Sequence, residues 1–439
     1  MSVTVDLHQH VIPDFYWEAS NEDGDAAGGI TPPRWSLDGA IAYLDEAGID
    51  VAVPSISTPG VHFGDDGAAR VLARRVNEFL ADIRRERPDR FGGIASLPLP
   101  DVEGPLEQIA YALEVLELDG VSVMTNAGGS YLGDSRFDSI FAELQRRAAV
   151  VFVHPTASPD PIAHTLGLPD ALLDYPADTS RAIAKLHYSN TFARTPDVKY
   201  VFSHAGGTIP FVASRFAIVD QMDVIPGAEE RGAFAHTLPR LYWDTASAFS
   251  DPVIHMLRSV TGLENVVFGT DYPYPRDAIS IGGLRQLQAT AELDDGERRG
   301  ILGESAARLI DSRRAAARTT AGSSSREPHC QTHRRAARGS RRRLNDSAQR
   351  ERMQDDARLS RGVAPTPSTP RLAYRPSHRC RARPIPARSA EAHSDARARA
   401  TPSAVCAASA WLPRGRRRYP RAAPRPRAWT LPLAVSDTG

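Results

Sequence analysis

The amino-acid sequence predicts an α/β protein, a (β/α)8 barrel of the TIM type with a disordered basic tail. Three observations support the barrel. Runs of β-branched and aromatic residues alternate with helix-like stretches along residues 1–312, which indicates a parallel sheet. Runs such as VVFV and YVFS are continuously apolar, as expected for strands buried on both faces. Eight strand–helix units in ~300 residues match the size of such a barrel.

The first predicted strand begins with alternating β-branched residues and ends in two histidines, His8 and His10. A doubly wound open sheet is the structural alternative, and this pair disfavours it, because that fold places a Gly-rich phosphate loop after strand 1. Gly48 and Pro88 end the first two long helices. The predicted strands are 3–10, 49–56, 91–97, 120–124, 150–154, 199–204, 241–245 and 265–271. The predicted helices are 37–47, 67–87, 105–118, 137–148, 179–194 and 294–310.

Charge divides the chain into two parts. Residues 313–439 contain 29 arginines, no lysine and 8 acidic residues, whereas residues 1–312 contain 24 basic and 45 acidic residues. The first part is an acidic domain that is large enough for one sizeable core. The second is rich in Arg, Pro, Ala and Ser and lacks aliphatic clusters, a composition typical of a disordered segment.

The tail, residues 313–439, allows two interpretations. Its positive charge favours binding to nucleic acid. Arginine without lysine, among scattered prolines, is instead typical of a GC-rich reading frame translated past its normal end, and we prefer this interpretation and expect no nucleic-acid partner. All three cysteines lie in the tail, so the body has no disulfide. No signal peptide and no apolar run of ~20 residues is recognisable, so we expect a cytoplasmic protein without a membrane partner.

Metal-competent side chains stand at the ends of several predicted strands. In an extended strand His8 and His10 point to the same face, because they are two residues apart. His154 follows VFV, His204 follows VFS and Asp271 follows FGT. Barrel active sites form at the C-terminal ends of the strands, so we expect these side chains to converge. Imidazoles and a carboxylate suit zinc or a similar divalent ion.

Four further residues in predicted loops or at strand ends are weaker candidates. The pocket wall can include Trp35, His62 and Tyr272, because the loops after the strands build it. Trp35 can stack on a flat substrate, but we prefer an ordinary packing role for it. Asp244 can support a metal-bound histidine or cap a helix.

Longer motifs in the body carry a family resemblance. They are DLHQHVIPDFY, VFVHPT, TSRAIAKLHYSNTFARTPDVKYVFSHAGGTIPFVASR, FGTDYPY and ILGESAARL. Together they resemble the metal-dependent amidohydrolase superfamily in its amidohydrolase 2 branch. That branch includes aminocarboxymuconate semialdehyde decarboxylase and decarboxylases of hydroxybenzoic acids. Ser305 stands where asparagine is usual, and the tail has no counterpart in the family.

The resemblance implies a role for each strand-end residue. His8, His10, His154 and Asp271 match the ligands of a single metal ion. We expect that ion to be Zn2+, with Mn2+ as the second choice, and we expect no organic cofactor. His204 matches the histidine that stands beside the metal and acts on its water or on the substrate.

Two other positions bear on the number of metal ions and of subunits. Met124 stands where binuclear relatives carry a carboxylated lysine, and the only lysines, Lys185 and Lys199, lie elsewhere. We therefore expect a mononuclear site. Arg215 lies eleven residues after His204, and in the aminocarboxymuconate enzymes an arginine at this spacing binds a substrate carboxylate in a neighbouring subunit. We expect a homodimer or a higher homo-oligomer, with a surface helix arginine as the alternative for Arg215.

These observations favour the non-oxidative decarboxylation of a small aromatic or unsaturated carboxylic acid. Either Asp271 or His204 then protonates the carbon that loses the carboxylate, and the sequence leaves both open. Hydrolysis of an ester, lactone or amide on the same site is the alternative, since the family contains both chemistries. A non-catalytic metal- or nucleic-acid-binding protein is a third alternative, and the complete ligand set disfavours it.

Overall fold

A closed barrel of eight parallel strands forms the centre of the structure. The computed structural model describes residues 3–20, 28–31, 33–159, 168–222, 224–227 and 231–311. The predicted tail, residues 313–439, lies outside these ranges. The strands are β1 (Val5–His10), β2 (Val51–Ser55), β3 (Ile94–Ser96), β4 (Gly120–Met124), β5 (Val150–His154), β6 (Lys199–Phe202), β7 (Tyr242–Asp244) and β8 (Val266–Val267).

Backbone hydrogen bonds close the sheet on itself. The strands β3 to β8 pair in sequence order, and β1 pairs with β2. The amide of Ala52 donates to the carbonyl of Arg90, and Gly92 donates to Ala52, which joins β2 to the segment before β3. On the other side, Leu7 donates to the carbonyl of Phe268, which joins β1 to the end of β8. The prediction of a TIM-type barrel is therefore confirmed.

Helices surround the barrel. Their bounds are α1 (Asp14–Ser20), α2 (Leu37–Ala47), α3 (Asp66–Glu86), α4 (Glu103–Ala110), α5 (Asp138–Arg146), α6 (Asp170–Tyr188), α7 (Thr191–Arg194), α8 (Ile209–Met222), α9 (Phe234–Thr237), α10 (Asp251–Val260), α11 (Asp277–Ala289) and α12 (Asp295–Arg299). A π-turn, Gly300–Glu304, joins α12 to a final helical segment at 305–311. Within the described ranges no helix is both long and apolar enough to cross a bilayer.

The predicted helix 179–194 is wrong in its bounds. The structure starts α6 at Asp170 and ends it at Tyr188, and α7 follows as a separate helix. The break lies at Asn190, whose φ of 63° is left-handed and cannot continue a helix. By contrast, α2 has the predicted bounds, because Ser36 accepts a hydrogen bond from the amide of Gly39 and Gly48 adopts the left-handed conformation at the end.

Two apolar clusters stabilise this arrangement. The larger one lies between the strands and the surrounding helices. The smaller one fills the barrel with strand residues such as Val53, Phe152 and Val201, and with Ala306 and Leu309 of the final helical segment. The polar strand-end residues therefore lie above a packed apolar layer, where water has limited access.

Candidate metal centre

Four predicted ligands come together at the C-terminal ends of the strands. One ligand atom each from His8, His10, His154 and Asp271 lies within 4.8 Å of all the others. The Nε2 atoms of His8 and His10 are 3.1 Å apart, and the Nε2 of His10 is 3.1 Å from Oδ1 of Asp271. All three histidines are buried. The geometry matches the predicted convergence.

A β-bulge in β1 helps to direct its two histidines inward. The register with β2 shifts between Asp6 and Gln9, and such bulges re-aim side chains near functional sites. The buried carboxylate of Asp6 holds the bulge in place, because it accepts hydrogen bonds from the amides of His8 and Thr270 at 3.1 Å each. Burial raises the pKa of Asp6 to about 7, against the hydrogen bonds of Thr270 and Gln9.

Asp6 was missed as a functional candidate at the level of sequence. The available signal is its position: it is a carboxylate inside an otherwise apolar strand, two residues before His8. Its hydroxyl partner, Thr270, lies next to Asp271. Asp6 therefore ties the two segments that supply three of the four candidate ligands.

Hydrogen bonds fix which ring nitrogen His8 and His154 present to the cluster. The Nδ1 of His8 donates to Oδ2 of Asp244 at 2.7 Å, and the Nδ1 of His154 donates to the carbonyl of Pro155 at 2.7 Å. Since Nδ1 carries the proton in both rings, the lone pair of the neutral ring is on Nε2. Both Nε2 atoms face the cluster, as metal ligation requires. Asp244 thus has the supporting position that the sequence had left open.

Charge in the cluster favours a bound cation. Burial holds the pKa of His10 below its ordinary value of 6.5 and that of His154 well below it, so both rings are neutral and able to ligate a metal. Burial alone would also lower the pKa of His8, but the carboxylates of Asp244 and Asp271 raise it to about 10. The two carboxylates therefore favour positive charge at His8, and a divalent ion held by Nε2 of His8 and by Asp271 would supply it.

His204 occupies a strained turn beside this cluster. Four consecutive residues after β6, His204 to Gly207, have positive φ, and a non-glycine residue pays about 1–3 kcal/mol for this conformation. The turn is held by the amide of His204, which donates to Oδ1 of Asp244 at 2.7 Å. The Nε2 of His204 lies 3.3 Å from Oδ2 of Asp271. Strain of this kind is typical of functional positions.

The candidate cluster opens into a cavity of about 560 Å³. His154, His204 and Asp271 line it, so two of the four candidate ligands and both candidate proton donors reach its interior. Ser247, at the end of β7, also lines it with a positive φ of 53°. The rest of the wall is largely apolar or aromatic and includes Leu172, Tyr175, Phe211, Val253, Met256 and Tyr274.

Other predicted residues fall outside this cavity. Arg215 is exposed on α8 and is not among the described residues of the cavity wall. Trp35 packs against Phe79 with ring centroids 5.8 Å apart, and Tyr272 stacks on Tyr43 at 4.1 Å. These two aromatic residues have packing roles. Sequence inspection had instead passed over the wall residues Tyr175 and Tyr274.

The barrel and the donor cluster together define a class of protein: a (β/α)8 barrel with one candidate metal site, among its described residues, at the strand ends. Met124 is the register partner of His154 at the end of β4, so a methionine stands beside the cluster where a bridging lysine would be needed. Comparison with known proteins identifies the family. The amidohydrolase family model matches residues 5–311, and the chain belongs to this family.

Similar proteins include fungal decarboxylases. Decarboxylase yanB of Aspergillus niger is 33% identical, over 70% of this chain and 87% of the relative. The 6-methylsalicylic acid decarboxylase of Penicillium expansum is 35% identical, over 63% of this chain and 86% of the relative. Among solved structures, 5-carboxyvanillate decarboxylase of Novosphingobium aromaticivorans, complexed with manganese, shares the fold with a TM-score of 0.63 and 22% identity, over 71% of this chain and 96% of that chain.

Proposed function

We propose that this protein catalyses the metal-dependent, non-oxidative decarboxylation of a small aromatic or unsaturated carboxylic acid. The main observation is the cluster of three histidines and one aspartate, open to a cavity of about 560 Å³ with His204 beside Asp271. The fungal relatives, which are decarboxylases by name, support the same class of reaction. Residues 1–312 would form this catalytic domain, and 313–439 would contribute nothing to it.

We assign the metal ligands as His8, His10, His154 and Asp271, and we propose one divalent ion per chain. Three imidazoles with a carboxylate suit Zn2+, and the manganese in the 5-carboxyvanillate enzyme makes Mn2+ the second candidate. When bound, such an ion would polarise the oxygens of the substrate as a Lewis acid. His8→Ala should lose most of the metal, which elemental analysis measures directly. Two tightly held ions per chain would contradict the mononuclear assignment.

The proton transfer involves the pair of His204 and Asp271. The Oδ1 of Asp271 faces His8 and His10, whereas Oδ2 faces Nε2 of His204. A proton can therefore pass between His204 and Asp271 without disturbing the oxygen on the ligand side. Either member of the pair can hand it to the carbon that loses the carboxylate, since both line the cavity.

The cavity wall favours an aromatic substrate with an apolar substituent. Leu172, Val253 and Met256 offer apolar surface, and Tyr175 and Tyr274 offer aromatic rings. A hydroxybenzoic acid can place its carboxylate and hydroxyl at the candidate metal while its ring contacts these side chains. The name of the Penicillium relative, 6-methylsalicylic acid decarboxylase, agrees with such a substrate.

A substrate panel tests the proposed function. The purified protein would be incubated with 6-methylsalicylic acid, other hydroxybenzoic acids, and aryl esters, while CO2 and free acid are measured separately. We expect CO2 from at least one hydroxybenzoic acid. Release of acid from the esters without CO2 from any carboxylic acid would favour the alternative, a hydrolase, and would contradict the proposal.

The exposed stripe on α8 supports a homodimer. Phe211, Arg215, Ile218 and Met222 are spaced by four, three and four residues, which places them on one side of the helix. The three apolar members are 57–78% exposed, and no described residue pairs with Arg215. We propose that a second copy covers this stripe and that Arg215 then binds a substrate carboxylate in the partner's site.

Mixing two inactive variants tests this arrangement. His204→Ala and Arg215→Ala chains would be combined under conditions of subunit exchange. Each mixed dimer then has one site with both residues intact, so part of the activity should return. Arg285→Ala, a change at an exposed arginine of α11, should remain active alone and serves as the control. Lack of recovery after verified exchange would contradict a role of Arg215 across the interface.

A further inference from the structure

A second, smaller cavity lies beside the reaction cavity, and none of the candidate metal ligands lines it. Its volume is about 150 Å³. The ends of β3 and β4 and the loops after β2 and β5 line it. We call it the serine cavity, after Ser96 and Ser122 in its wall.

The two serines stand side by side, and the hydroxyl of Ser122 is buried without a hydrogen-bond partner among the described residues. Ser96 and Ser122 are register partners on the parallel strands β3 and β4, so their side chains point to the same face. They are only 5% and 2% exposed. The Oγ of Ser122 has no partner among the described residues, and Ser96 bonds through its backbone, to Asn77. Buried hydroxyls normally form hydrogen bonds, so we expect a bound molecule beside these two serines.

The wall of the serine cavity favours a neutral occupant. No lysine, arginine, aspartate or glutamate of the described residues lines the serine cavity. His62 does line it, but its Nδ1 accepts from the amide of Gly64 at 3.2 Å and its Nε2 donates to Asp66 at 2.8 Å. A carboxylate or a metal cation would therefore lie there without a charged partner, which is costly. Two hydroxyl donors instead favour a neutral molecule with hydrogen-bond acceptors.

A hydrogen-bonded pair of threonines links the walls of the serine cavity and the reaction cavity. Thr58 lines the reaction cavity and Thr156 lines the serine cavity, and their hydroxyl oxygens are 2.9 Å apart. Thr156 lies two residues after the candidate ligand His154. The two cavities therefore lie next to each other at this pair of hydroxyls.

We propose that the serine cavity receives the CO2 released in the reaction, with Ser96 and Ser122 donating hydrogen bonds to its oxygens. The inference rests on the proposed decarboxylation. In that step the bond between the substrate carbon and its carboxylate breaks, the electron pair stays on carbon and takes up a proton, and CO2 leaves as a neutral molecule. CO2 carries no charge and only accepts hydrogen bonds, so it suits the uncharged wall and the two hydroxyls, and the cavity has ample room for it.

Crystals pressurised with CO2 test the site without any substrate. We expect CO2 in the serine cavity of the wild type and none in the double variant Ser96→Val/Ser122→Val, which removes both donors and fills space. Ser122→Ala is the milder variant should the double variant not fold. Only water in the pressurised wild-type cavity would overturn the inference. That failure is distinct from failure of the proposed function, which shows as absence of CO2 release from every carboxylic acid.

An isotope exchange measurement tests the role during turnover. Substrate would be converted in the presence of ¹³CO2, and label in the unreacted substrate would be compared with net conversion. The double variant should incorporate roughly tenfold less label, because two hydrogen bonds to CO2 are lost. Ser280→Val removes another buried hydroxyl, which pairs with Tyr43 on α2, and should leave the exchange unchanged. Equal label incorporation in the wild type, in Ser96→Val/Ser122→Val and in Ser122→Ala would overturn the proposal.

Discussion

Replacement of Asp244 by asparagine should weaken metal binding although Asp244 is not a candidate ligand. The two carboxylate oxygens of Asp244 accept hydrogen bonds from three N–H groups. Oδ2 accepts from Nδ1 of His8, and Oδ1 accepts from the amides of His204 and Ala246 at 2.7 and 3.1 Å. Asparagine has one acceptor oxygen. That oxygen should remain with the two backbone amides, which leaves the NH2 group opposite His8.

The expected loss of metal affinity follows from the tautomer of His8. Facing an NH2 donor, Nδ1 must accept, so the proton of the neutral ring moves to Nε2 and blocks the lone pair that the metal needs. Loss of such a supporting partner typically costs 10–100-fold in metal affinity, which is about 1.4–2.8 kcal/mol. Competition with a chelator of known affinity would measure the change in Kd for Zn2+ and for Mn2+.

A matched control separates this effect from the general cost of altering a buried aspartate. Asp119 is 1% exposed and accepts from the amide of Gly93 at the other end of the barrel, just before β4. Asp119→Asn should change the metal affinity by less than Asp244→Asn does, whatever its effect on stability. A metal affinity of Asp244→Asn within about twofold of the wild type would refute the tautomer argument.

Three further outcomes are expected. His204→Ala should keep its metal and fold while turnover falls on the order of 10²–10⁴-fold in a CO2 release assay, as for loss of an acid–base group; loss of the metal would make it a ligand instead. Removal of residues 313–439 should leave the thermal midpoint and activity unchanged, because the tail has few apolar residues; a drop of several degrees would contradict this. Burial lowers the pKa of His187 from 6.5 to about 4, so the native state holds this ring neutral and the free energy of unfolding should fall by about 3 kcal/mol between pH 6.5 and 4. Urea unfolding should show this loss in the wild type and not in His187→Gln; the same pH profile in both proteins would contradict it.

The barrel and its candidate ligands were predictable from sequence because each signal is local. β5 reads VVFVH and appears with the predicted bounds, 150–154, since a continuous apolar run in a parallel sheet is distinctive. His154 is the last residue of this strand, so its position at the strand end follows directly from the sequence. Comparison with known proteins also confirms the predicted family and the decarboxylase class.

Features that depend on contacts between distant segments were not predictable. Asp6 and Thr270 are 264 residues apart, and no local sequence pattern predicts their hydrogen bond. The roles of Asp244 in holding His8 and His204 likewise appear only when β1, β6 and β7 lie together. Tyr272 was a candidate for the pocket wall, but it stacks on Tyr43. Sequence could not show this, since the tertiary arrangement decides which aromatic residue of the loop after β8 faces the cavity.

The most direct test of a mononuclear, metal-dependent decarboxylase is a titration of metal-stripped protein. Zn2+ or Mn2+ would be added in fractions of an equivalent while CO2 release from the best hydroxybenzoic acid is recorded at each step. We expect no CO2 before addition, a linear rise, and a break at about one equivalent per chain, the capacity of one site of three histidines and one aspartate. Full activity of the stripped protein, or a break at two equivalents, would contradict the account.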